Sequence, residues 1–461
     1  MFSADTYNKR RDALLSSFDG GLLLFLGNTE SPMNYGDNPY PFRQDSSFLY
    51  YFGLAQPDLA GVVDVDAGTA TIFGDELSID HIVWMGDLPT LARRAEDVGV
   101  SETRPWEDLE EILGRAVTAG RAVHFLPPYR STTKIQLRDL LGVAPEDAEK
   151  ETSEAFIRAV VDQRSYKSPE EVAEIERAVT TSVAMHEAAM GMARPGMLER
   201  EIAAVAEHIA MGAGGRVSFP VIATINGQTL HNHFYGNTIA EGDLFLLDAG
   251  AETGMGYAGD LTSTFPVSST FDDRQKTIWD IVLRAYEAAV AKVAPGIPNI
   301  DVHFAACRVI FEGMTELGIM KGDTDEALEA GAHAMVMPHG IGHMMGLDVH
   351  DMESLGEQYV GYGERERSDQ FGLKSLRLAR ELEPGFVLTV EPGVYFIPQL
   401  MDLWRSRSHL TDFIDYDELD KWRDFGGMRN EEDYLVTPDG ARRLGPRKPQ
   451  TEEEIGEIRG G

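Results

Sequence analysis

The sequence predicts an α/β protein with a smaller N-terminal α/β domain followed by a larger C-terminal domain. A chain of 461 residues allows two or three domains at roughly 150 residues each. Short apolar runs bounded by glycine and proline alternate with helical patterns, and the hydrophobic content of 43% is enough for buried cores. A helix-start signal shortly after residue 163 places the domain boundary there, between residues 1–162 and 163–461.

The N-terminal domain is predicted to contain both strands and helices. Residues 20–27 (GGLLLFLG) form a strand, and residues 60–74 (AGVVDVDAGTATIFG) form a hairpin that turns at residues 66–68. Residues 121–127 (RAVHFLP) add another strand, and residues 131–142 (STTKIQLRDLLG) add a helix. These elements together indicate one small α/β domain.

Two helices with a break at residues 165–167 connect the domains. Ser168 supplies the N-cap of the second helix, Pro169 its first position and Glu171 its capping-box acid. Apolar residues follow at helical spacing, namely Val172, Ile175 and Val179. A new helix is therefore predicted to begin at this point.

Charge and cysteine content exclude several classes of function. The formal net charge of -35 opposes contact with phosphates, so neither a nucleic-acid nor a membrane partner is expected. Cys307 is the only cysteine, which rules out an intrachain disulfide and favours a reducing compartment. The first residues (MFSADTYNKRRDALL) carry charges where a signal peptide has its apolar stretch, and no apolar run approaches a membrane span. These features predict a cytoplasmic protein.

Residues 338–351 (PHGIGHMMGLDVHD) concentrate three histidines and two aspartates in a glycine-rich run. His339 and His343 are four residues apart, which would place them on one face of a helix. Pro338 and the glycines are poor helix residues, and no glutamate beside the first histidine could act as a base. Positions four apart also share a face in an extended chain, so a strand or strand edge is the alternative.

Acidic residues stand at the ends of apolar runs in the C-terminal domain. The run at residues 244–247 ends on Asp248, and Asp260 opens another run after a glycine-rich turn. A further run (LTVEPGVYF) reaches Glu391, and Glu431 precedes yet another. A single aspartate at such a place ordinarily caps a turn, but close carboxylates repel and raise each other's pKa unless cations compensate.

These acids and the histidine segment together predict a metal site. Asp248, Asp260, Glu391 and Glu431 carry four negative charges, which match two divalent cations, and His343 adds a neutral nitrogen ligand. Oxygen-dominated ligation favours manganese, with cobalt and zinc as alternatives. Paired cations roughly 3.5 to 4 Å apart activate water and polarise a carbonyl, which is the chemistry of hydrolysis.

The order of these five residues, behind a smaller α/β domain, resembles the pita-bread metallopeptidases that cut next to proline, prolidase and aminopeptidase P. The resemblance covers nearly the whole chain and includes FRQDSSFLYYFGL, VVDVDAGTATIF, PHGIGHMMGLDVHD, LTVEPGVYFI and FGGMRNEED. It implies a creatinase/aminopeptidase-like catalytic domain with a dinuclear site. Asp248 and Glu431 would bridge the two ions, with Asp260 on one ion and His343 and Glu391 on the other.

The resemblance also implies roles for residues around the metals. Glu391 would shuttle the proton to the leaving nitrogen, His350 would contact the substrate, and Arg429 would orient Glu431. His231, 17 residues before Asp248, matches the histidine that closes over the scissile carbonyl, although neighbouring His233 is an alternative. His339 matches a family histidine and would bind substrate, or it would simply satisfy a core hydrogen bond. Three other histidines are expected to pack without a ligand role: His186, His303 and His333.

Arg377 favours the dipeptidase over the aminopeptidase. It lies fourteen residues before Glu391 and matches the prolidase arginine that holds the free carboxylate of a dipeptide, a task that suits the bidentate guanidinium. The alternative is a surface arginine in a basic run with Lys374 and Arg380. The segment YFIPQLMDLW and the long insert before FGGMR also look more like prolidase.

The predicted activity is therefore hydrolysis of the peptide bond before proline, most simply in Xaa-Pro dipeptides. The first alternative is an Xaa-Pro aminopeptidase that acts on longer peptides. A methionine aminopeptidase would lack so large an N-terminal domain, and a creatinase-like enzyme would lack the metal ligands. A non-catalytic peptide-binding module of the same fold should have lost several ligands. The expected partners are a small peptide substrate and, from the resemblance, further copies of the chain in a homodimer or tetramer.

Overall fold

The computed structural model describes residues 1–460, which form two compact units. The first unit comprises Met1–Arg164 together with Met352–Tyr359, and the second comprises Ser165–Asp351 together with the chain from Val360 onward. The division into domains 1–162 and 163–461 stays a prediction. A single boundary does not account for Met352–Tyr359, the short later segment that groups with the first unit.

The first unit is built on one five-stranded sheet in the order β4-β3-β2-β1-β5. Strands β1, β2 and β3 pair antiparallel, β5 runs parallel to β1, and β4 runs parallel to β3. The predicted strand at residues 20–27 and the predicted hairpin at residues 60–74 are confirmed. The strands are β1 (Leu22–Leu26), β2 (Ala60–Asp64), β3 (Thr69–Phe73), β4 (Glu102–Arg104) and β5 (Val123–Phe125).

Helices cover this sheet through an apolar core. Leu109 and Leu113 of one helix and Leu137 of the next pack with Leu24 and Phe73 of the strands, because each helix presents one apolar face. The predicted helix at residues 131–142 is confirmed. The helices are α1 (Ala4–Leu15), α2 (Ser46–Phe52), α3 (Ile79–Met85), α4 (Leu91–Asp97), α5 (Asp108–Thr118), α6 (Ser131–Leu141) and α7 (Glu154–Ser165).

The second unit begins with the helix that the capping residues predict. The Ser168 side chain accepts a hydrogen bond from the Glu171 backbone, the Glu171 side chain accepts one from the Ser168 backbone, and Pro169 is the first helical residue. The helices are α8 (Pro169–Met192), α9 (Glu199–Gly212), α10 (Asp273–Lys292), α11 (Asn299–Glu316), α12 (Thr324–Ala330), α13 (Pro398–Ser406), α14 (Tyr416–Asp420) and α15 (Glu452–Gly460).

Short antiparallel sheets form the centre of the second unit, in the orders β10-β8-β7, β11-β14-β15, β12-β13 and β6-β9. Their strands are β6 (Arg216–Val217), β7 (Ile222–Thr224), β8 (Leu244–Asp248), β9 (Ala251–Glu252), β10 (Thr262–Pro266), β11 (Val387–Val390), β12 (Gly393–Tyr395), β13 (Gly427–Arg429), β14 (Glu432–Thr437) and β15 (Gly440–Arg443).

Strand pairing brings the ends of these sheets together. Asp248 lies opposite Thr262 in the pairing of β8 with β10, and an isolated bridge joins Thr262 to Glu431, just before β14. Strand β11 pairs with β14 and ends one residue before Glu391. The acids that are scattered over the sequence therefore meet at one place.

Residues 338–351 form no helix, as the glycines predict, and follow the edge of β11 instead. The Thr389 amide donates to the His343 carbonyl over 3.1 Å, and the Met345 amide donates to the Val387 carbonyl over 3.0 Å. A β-carbon on Gly342 would lie 2.0 Å from the Thr389 carbonyl oxygen, so only glycine permits this approach.

No helix among residues 1–460 combines the length and the apolar character needed to cross a bilayer.

Candidate active site

A cavity of about 530 Å³ in the second unit is lined by every residue that the sequence assigns to the site. Its acidic wall contains Asp248, Asp260, Glu391 and Glu431, and its other polar lining residues are His231, His233, His339, His343, His350, Ser375, Arg377 and Arg429. The volume is within the range typical of small-molecule sites. The fold therefore brings together in one cavity the residues that the sequence assigns to one site.

The four acids are crowded and largely removed from water. Burial raises the pKa of Asp260, Glu391 and Glu431 well above the usual range, and neighbouring carboxylates raise them further. The buried Oδ1 atoms of Asp248 and Asp260 have no hydrogen-bond partner among residues 1–460. Such acceptors are costly unless a proton or a cation satisfies them, so this donor set fits divalent cations.

His343 is oriented as a nitrogen ligand. Its Nδ1 lies 3.0 Å from the Met344 carbonyl oxygen, which can only accept, so the ring proton is at Nδ1 and the lone pair is at Nε2. Nε2 lies 3.4 Å from Asp260 Oδ2 and 3.8 Å from Glu391 Oε1. These three electron-rich atoms repel one another at such distances unless a proton or a metal ion lies between them. His343 with Asp260 and Glu431 also forms a buried donor group compatible with one metal ion.

Arg429 links two of the acids. Its Nη2 donates to Asp248 Oδ2 over 2.5 Å, and its Nε donates to the Thr262 hydroxyl over 3.0 Å. That hydroxyl in turn donates to Glu431 Oε2 over 2.6 Å. The sequence predicts an arginine that orients Glu431; in the structure it contacts Asp248 directly and reaches Glu431 only through Thr262.

His339 belongs to the same hydrogen-bond network as Arg429, because both contact the Tyr395 hydroxyl. Burial lowers the pKa of His339 to about 3, so the ring is neutral. Its Nδ1 donates to the Gly340 carbonyl over 2.7 Å, and its Nε2 accepts from the Tyr395 hydroxyl over 3.0 Å. The same hydroxyl accepts from Arg429 over 2.9 Å. Both ring nitrogens therefore have partners in the chain, which agrees with the core hydrogen-bonding alternative, while a substrate-binding role for His339 stays a prediction.

The other three histidines lie around the cavity. His350 packs edge to face on His343, with ring centroids 4.4 Å apart. His231 and His233 are both exposed to solvent on the chain that connects β7 to β8. Partial burial lowers the pKa of His231, which keeps its ring neutral near pH 7.

The cavity lining also contains the guanidinium of Arg377 and several apolar side chains. Arg377 is half-buried and lines the cavity, and its charge lowers the pKa of Glu391 against the larger effect of burial. The apolar lining residues are Phe219, Pro220, Ile222, Leu230 and Val349. Such a surface suits the ring of proline, whereas Arg377 suits a carboxylate.

Three polar residues of the site escape the sequence analysis. Thr262 and Tyr395 accept hydrogen bonds from Arg429. The buried Asp433 side chain accepts a hydrogen bond from the Asp260 amide over 3.0 Å. Asp433 lies two residues after Glu431, and Thr262 lies two residues after Asp260. The period of two in a strand, which puts such pairs on one face, is the signal that would have found Thr262 and Asp433.

Comparisons with known proteins agree with this geometry. The model of metallopeptidase family M24 matches residues 173–438, and the model of the aminopeptidase P N-terminal domain matches residues 7–124. An Xaa-Pro dipeptidase of Homo sapiens is 32% identical over 455 residues, which cover 95% of this chain and 88% of that protein. An Xaa-Pro aminopeptidase of Escherichia coli (strain K12) is 30% identical, with coverage of 98% and 97%.

A solved structure extends the likeness to the whole fold. Aminopeptidase PepP of Pseudomonas aeruginosa matches with a TM-score of 0.82 and 29% identity, over 100% of this chain and 98% of that one. The expected architecture, an N-terminal α/β domain before a pita-bread catalytic domain, is confirmed by these matches. The chain belongs to metallopeptidase family M24.

Proposed function

We propose that this protein hydrolyses the peptide bond before proline, with Xaa-Pro dipeptides as its preferred substrates. The observation that carries the proposal is the placement of Arg377 in the same cavity as the four acids and His343. A dipeptide presents a free carboxylate on the proline itself, which a guanidinium at this site can bind. The similar human protein is named an Xaa-Pro dipeptidase.

The cavity is proposed to hold two divalent ions. Asp248 and Glu431 would bridge them, Asp260 would bind one, and His343 and Glu391 would bind the other. The buried carboxylate oxygens without partners and the Nε2 lone pair of His343 support this assignment. The oxygen-rich donor set favours manganese, with cobalt and zinc as alternatives. When bound, such a pair supplies Lewis acidity that activates water and polarises the scissile carbonyl.

The residues of the chain supply positioning and proton transfer. A Glu391 carboxylate oxygen takes the proton of the attacking water and delivers it to the leaving imino nitrogen of proline. His231 and His350 donate hydrogen bonds to the oxygen that becomes negative as the carbonyl is attacked. Arg429 fixes Asp248 directly and Glu431 through Thr262, so both carboxylates keep their orientation.

Selection of proline follows from its tertiary amide. Proline has no backbone N–H, so a pocket that offers no acceptor at that position disfavours every other residue. The apolar lining residues Phe219, Leu230 and Val349 offer none through their side chains. Arg377 then distinguishes a dipeptide, whose carboxylate is on the proline, from longer peptides.

An Xaa-Pro aminopeptidase is the second candidate. It is favoured by the similar protein of Escherichia coli and by the solved structure from Pseudomonas aeruginosa, both of which carry the name aminopeptidase. The two activities share the same metal chemistry and differ in where the substrate ends. The proposal extends to a homodimer or tetramer that acts in the cytoplasm, which light scattering and cell fractionation would test.

A substrate panel tests the proposed function. Purified protein loaded with manganese is assayed against Xaa-Pro dipeptides, Xaa-Pro-Xaa tripeptides and matched Xaa-Ala dipeptides. We expect the highest kcat/KM for Xaa-Pro dipeptides and little turnover of Xaa-Ala. A preference for tripeptides would favour the aminopeptidase, and no turnover of any peptide would leave the non-catalytic peptide-binding module of the same fold.

A further inference from the structure

A second cluster of metal-binding side chains lies in the core of the second unit. His303 and Cys307 are four residues apart on α11, so they share one face of that helix. His333 belongs to a short 3₁₀ helix, Ala332–Met335, and its ring centroid lies 5.6 Å from that of His303. All three side chains are fully buried, and one donor atom from each lies within 4.8 Å of the other two.

Most of the ring nitrogens in this cluster have no hydrogen-bond partner among residues 1–460. The Cys307 Sγ lies 3.3 Å from His303 Nε2, but His303 Nδ1 and both ring nitrogens of His333 have no hydrogen-bond partner among residues 1–460. His186 is equally buried, yet its Nδ1 contacts the Ser263 hydroxyl at 2.9 Å and its Nε2 the Ala249 carbonyl at 3.0 Å. Buried polar atoms are ordinarily paired, as those of His186 are. The nitrogens of His333 therefore need a partner from outside the chain.

We propose that His303, Cys307 and His333 bind one thiolate-preferring transition-metal ion, separately from the oxygen-rich cavity. Two imidazoles and a thiolate are the donors that Zn²⁺ and Cu⁺ prefer. In a tetrahedral zinc site the sulfur and nitrogen ligands lie about 3.5 Å apart, close to the Sγ to Nε2 distance here. The cluster is thus compact enough for one ion to bind all three donors after a small closure.

Binding at this site exchanges a proton for the metal. Burial raises the pKa of the Cys307 thiol and lowers those of His303 and His333, so the metal-free cluster is neutral. The S–H bond breaks as the sulfur–metal bond forms, and the proton leaves to the solvent. The thiolate neutralises Cu⁺ completely and leaves one positive charge with Zn²⁺. Because a net charge is unfavourable in a fully buried site, this comparison favours Cu⁺ over Zn²⁺. Both ions are therefore tested.

Cobalt spectroscopy tests the divalent case without relying on catalysis. Co²⁺ stands in for Zn²⁺ and produces a near-ultraviolet charge-transfer band only when a thiolate binds it. Because Cys307 is the only cysteine of the chain, that band reports this cluster and nothing in the oxygen-rich cavity. On titrating the metal-free protein with Co²⁺, we expect a band whose intensity corresponds to one thiolate-bound ion per chain, in addition to the Co²⁺ that the oxygen-rich cavity binds without such a band. Adding Zn²⁺ should abolish the band.

Variants and a Cu⁺ titration complete the test. Cys307→Ser should abolish the band, His333→Gln should weaken it, and His186→Gln, which alters an equally buried but fully hydrogen-bonded ring, should leave it unchanged. If the cluster selects Cu⁺ instead, the wild-type protein should withdraw one Cu⁺ per chain from a coloured chelator, and Cys307→Ser should not. A wild-type protein that gives no band and withdraws no Cu⁺ would overturn the proposal. This outcome does not depend on whether the variants fold.

Discussion

Among the single residues of the cavity, the acids differ in their access to solvent. The Glu391 side chain is 19% exposed, whereas that of Asp260 is 7% exposed and Glu431 is buried. A group that passes protons to a substrate must be reachable, whereas a carboxylate that only balances cation charge need not be. This difference supports Glu391 as the proton carrier and the deeper acids as pure ligands.

Replacement of Arg377 tests the dipeptidase proposal at the level of one side chain. Truncation of one partner of a close charge pair costs on the order of 2 to 5 kcal/mol. Arg377→Ala should therefore lower kcat/KM for Xaa-Pro dipeptides by about 30-fold or more, with a much smaller effect on tripeptides. Arg377→Lys should restore only part of the loss, because a point charge cannot bind a carboxylate bidentately. Equal losses on both substrates in steady-state assays would support the aminopeptidase instead.

The neighbouring histidines on the chain between β7 and β8 offer a matched pair. If His231 donates to the developing oxyanion, His231→Ala should lower kcat by about a hundredfold, the effect of losing one such donor, with metal content unchanged. His233→Ala should have a much smaller effect on kcat. Kinetics combined with elemental analysis of both variants provide the measurement. The opposite ranking would assign the oxyanion to His233.

At the scale of secondary-structure elements, the site depends on how closely the histidine segment follows β11. Gly342→Ala would place a methyl group 2.0 Å from the Thr389 carbonyl oxygen and force His343 away from the acids. Overpacking of this kind costs about 1 to 3 kcal/mol, so both the melting temperature and the manganese content should fall. Gly212→Ala is the control, because a β-carbon there meets no atom within 4 Å. Full manganese occupancy in Gly342→Ala would show that the close approach does not position His343.

The elements were predictable to the extent that their signals are local. The capping residues of α8, the turn between β2 and β3 and the glycines of the histidine segment act within a few positions, and the structure agrees with each. The contact of Arg429 with Asp248 joins residues 181 positions apart, and Thr262 joins Arg429 to Glu431 only after two strands meet. Such partners depend on tertiary packing. For this reason the prediction from the sequence paired Arg429 only with Glu431, the acid two residues away.

At the scale of the whole molecule, the chain combines a large acidic excess with a buried concentration of acids. Asp and Glu number 76 against 41 Lys and Arg, and solvent screens most of these charges. Asp248, Asp260, Glu431 and Asp433 are instead buried together, with Arg429 as the buried cation in contact with Asp248. One guanidinium cannot neutralise them, so the metal-free protein must keep protons on some of these groups.

The pH dependence of stability follows from these raised pKa values. The unfolded pKa of an acid is about 4, and burial raises those of Asp260, Glu391 and Glu431 well above it in the folded protein. At pH values between the unfolded and the folded pKa, the folded state binds more protons than the unfolded state. The free energy of unfolding therefore falls as pH rises through this range. We therefore expect the melting temperature of chelated protein to fall on going from mildly acidic to mildly alkaline pH.

Buried histidines oppose this trend at low pH, and a variant separates the two effects. Burial lowers the pKa of His186 and His339 to about 3, so each contributes stability that rises with pH up to about 6.5. Glu431→Gln keeps these histidines but removes one buried acid, so its melting temperature should fall less with pH than that of the wild type. If manganese binds the ionised carboxylates of the folded chain only, as proposed, its stabilising effect on the wild type should grow with pH. Calorimetry of both proteins, with and without manganese, would contradict this account if the two metal-free pH profiles were parallel or the manganese effect were independent of pH.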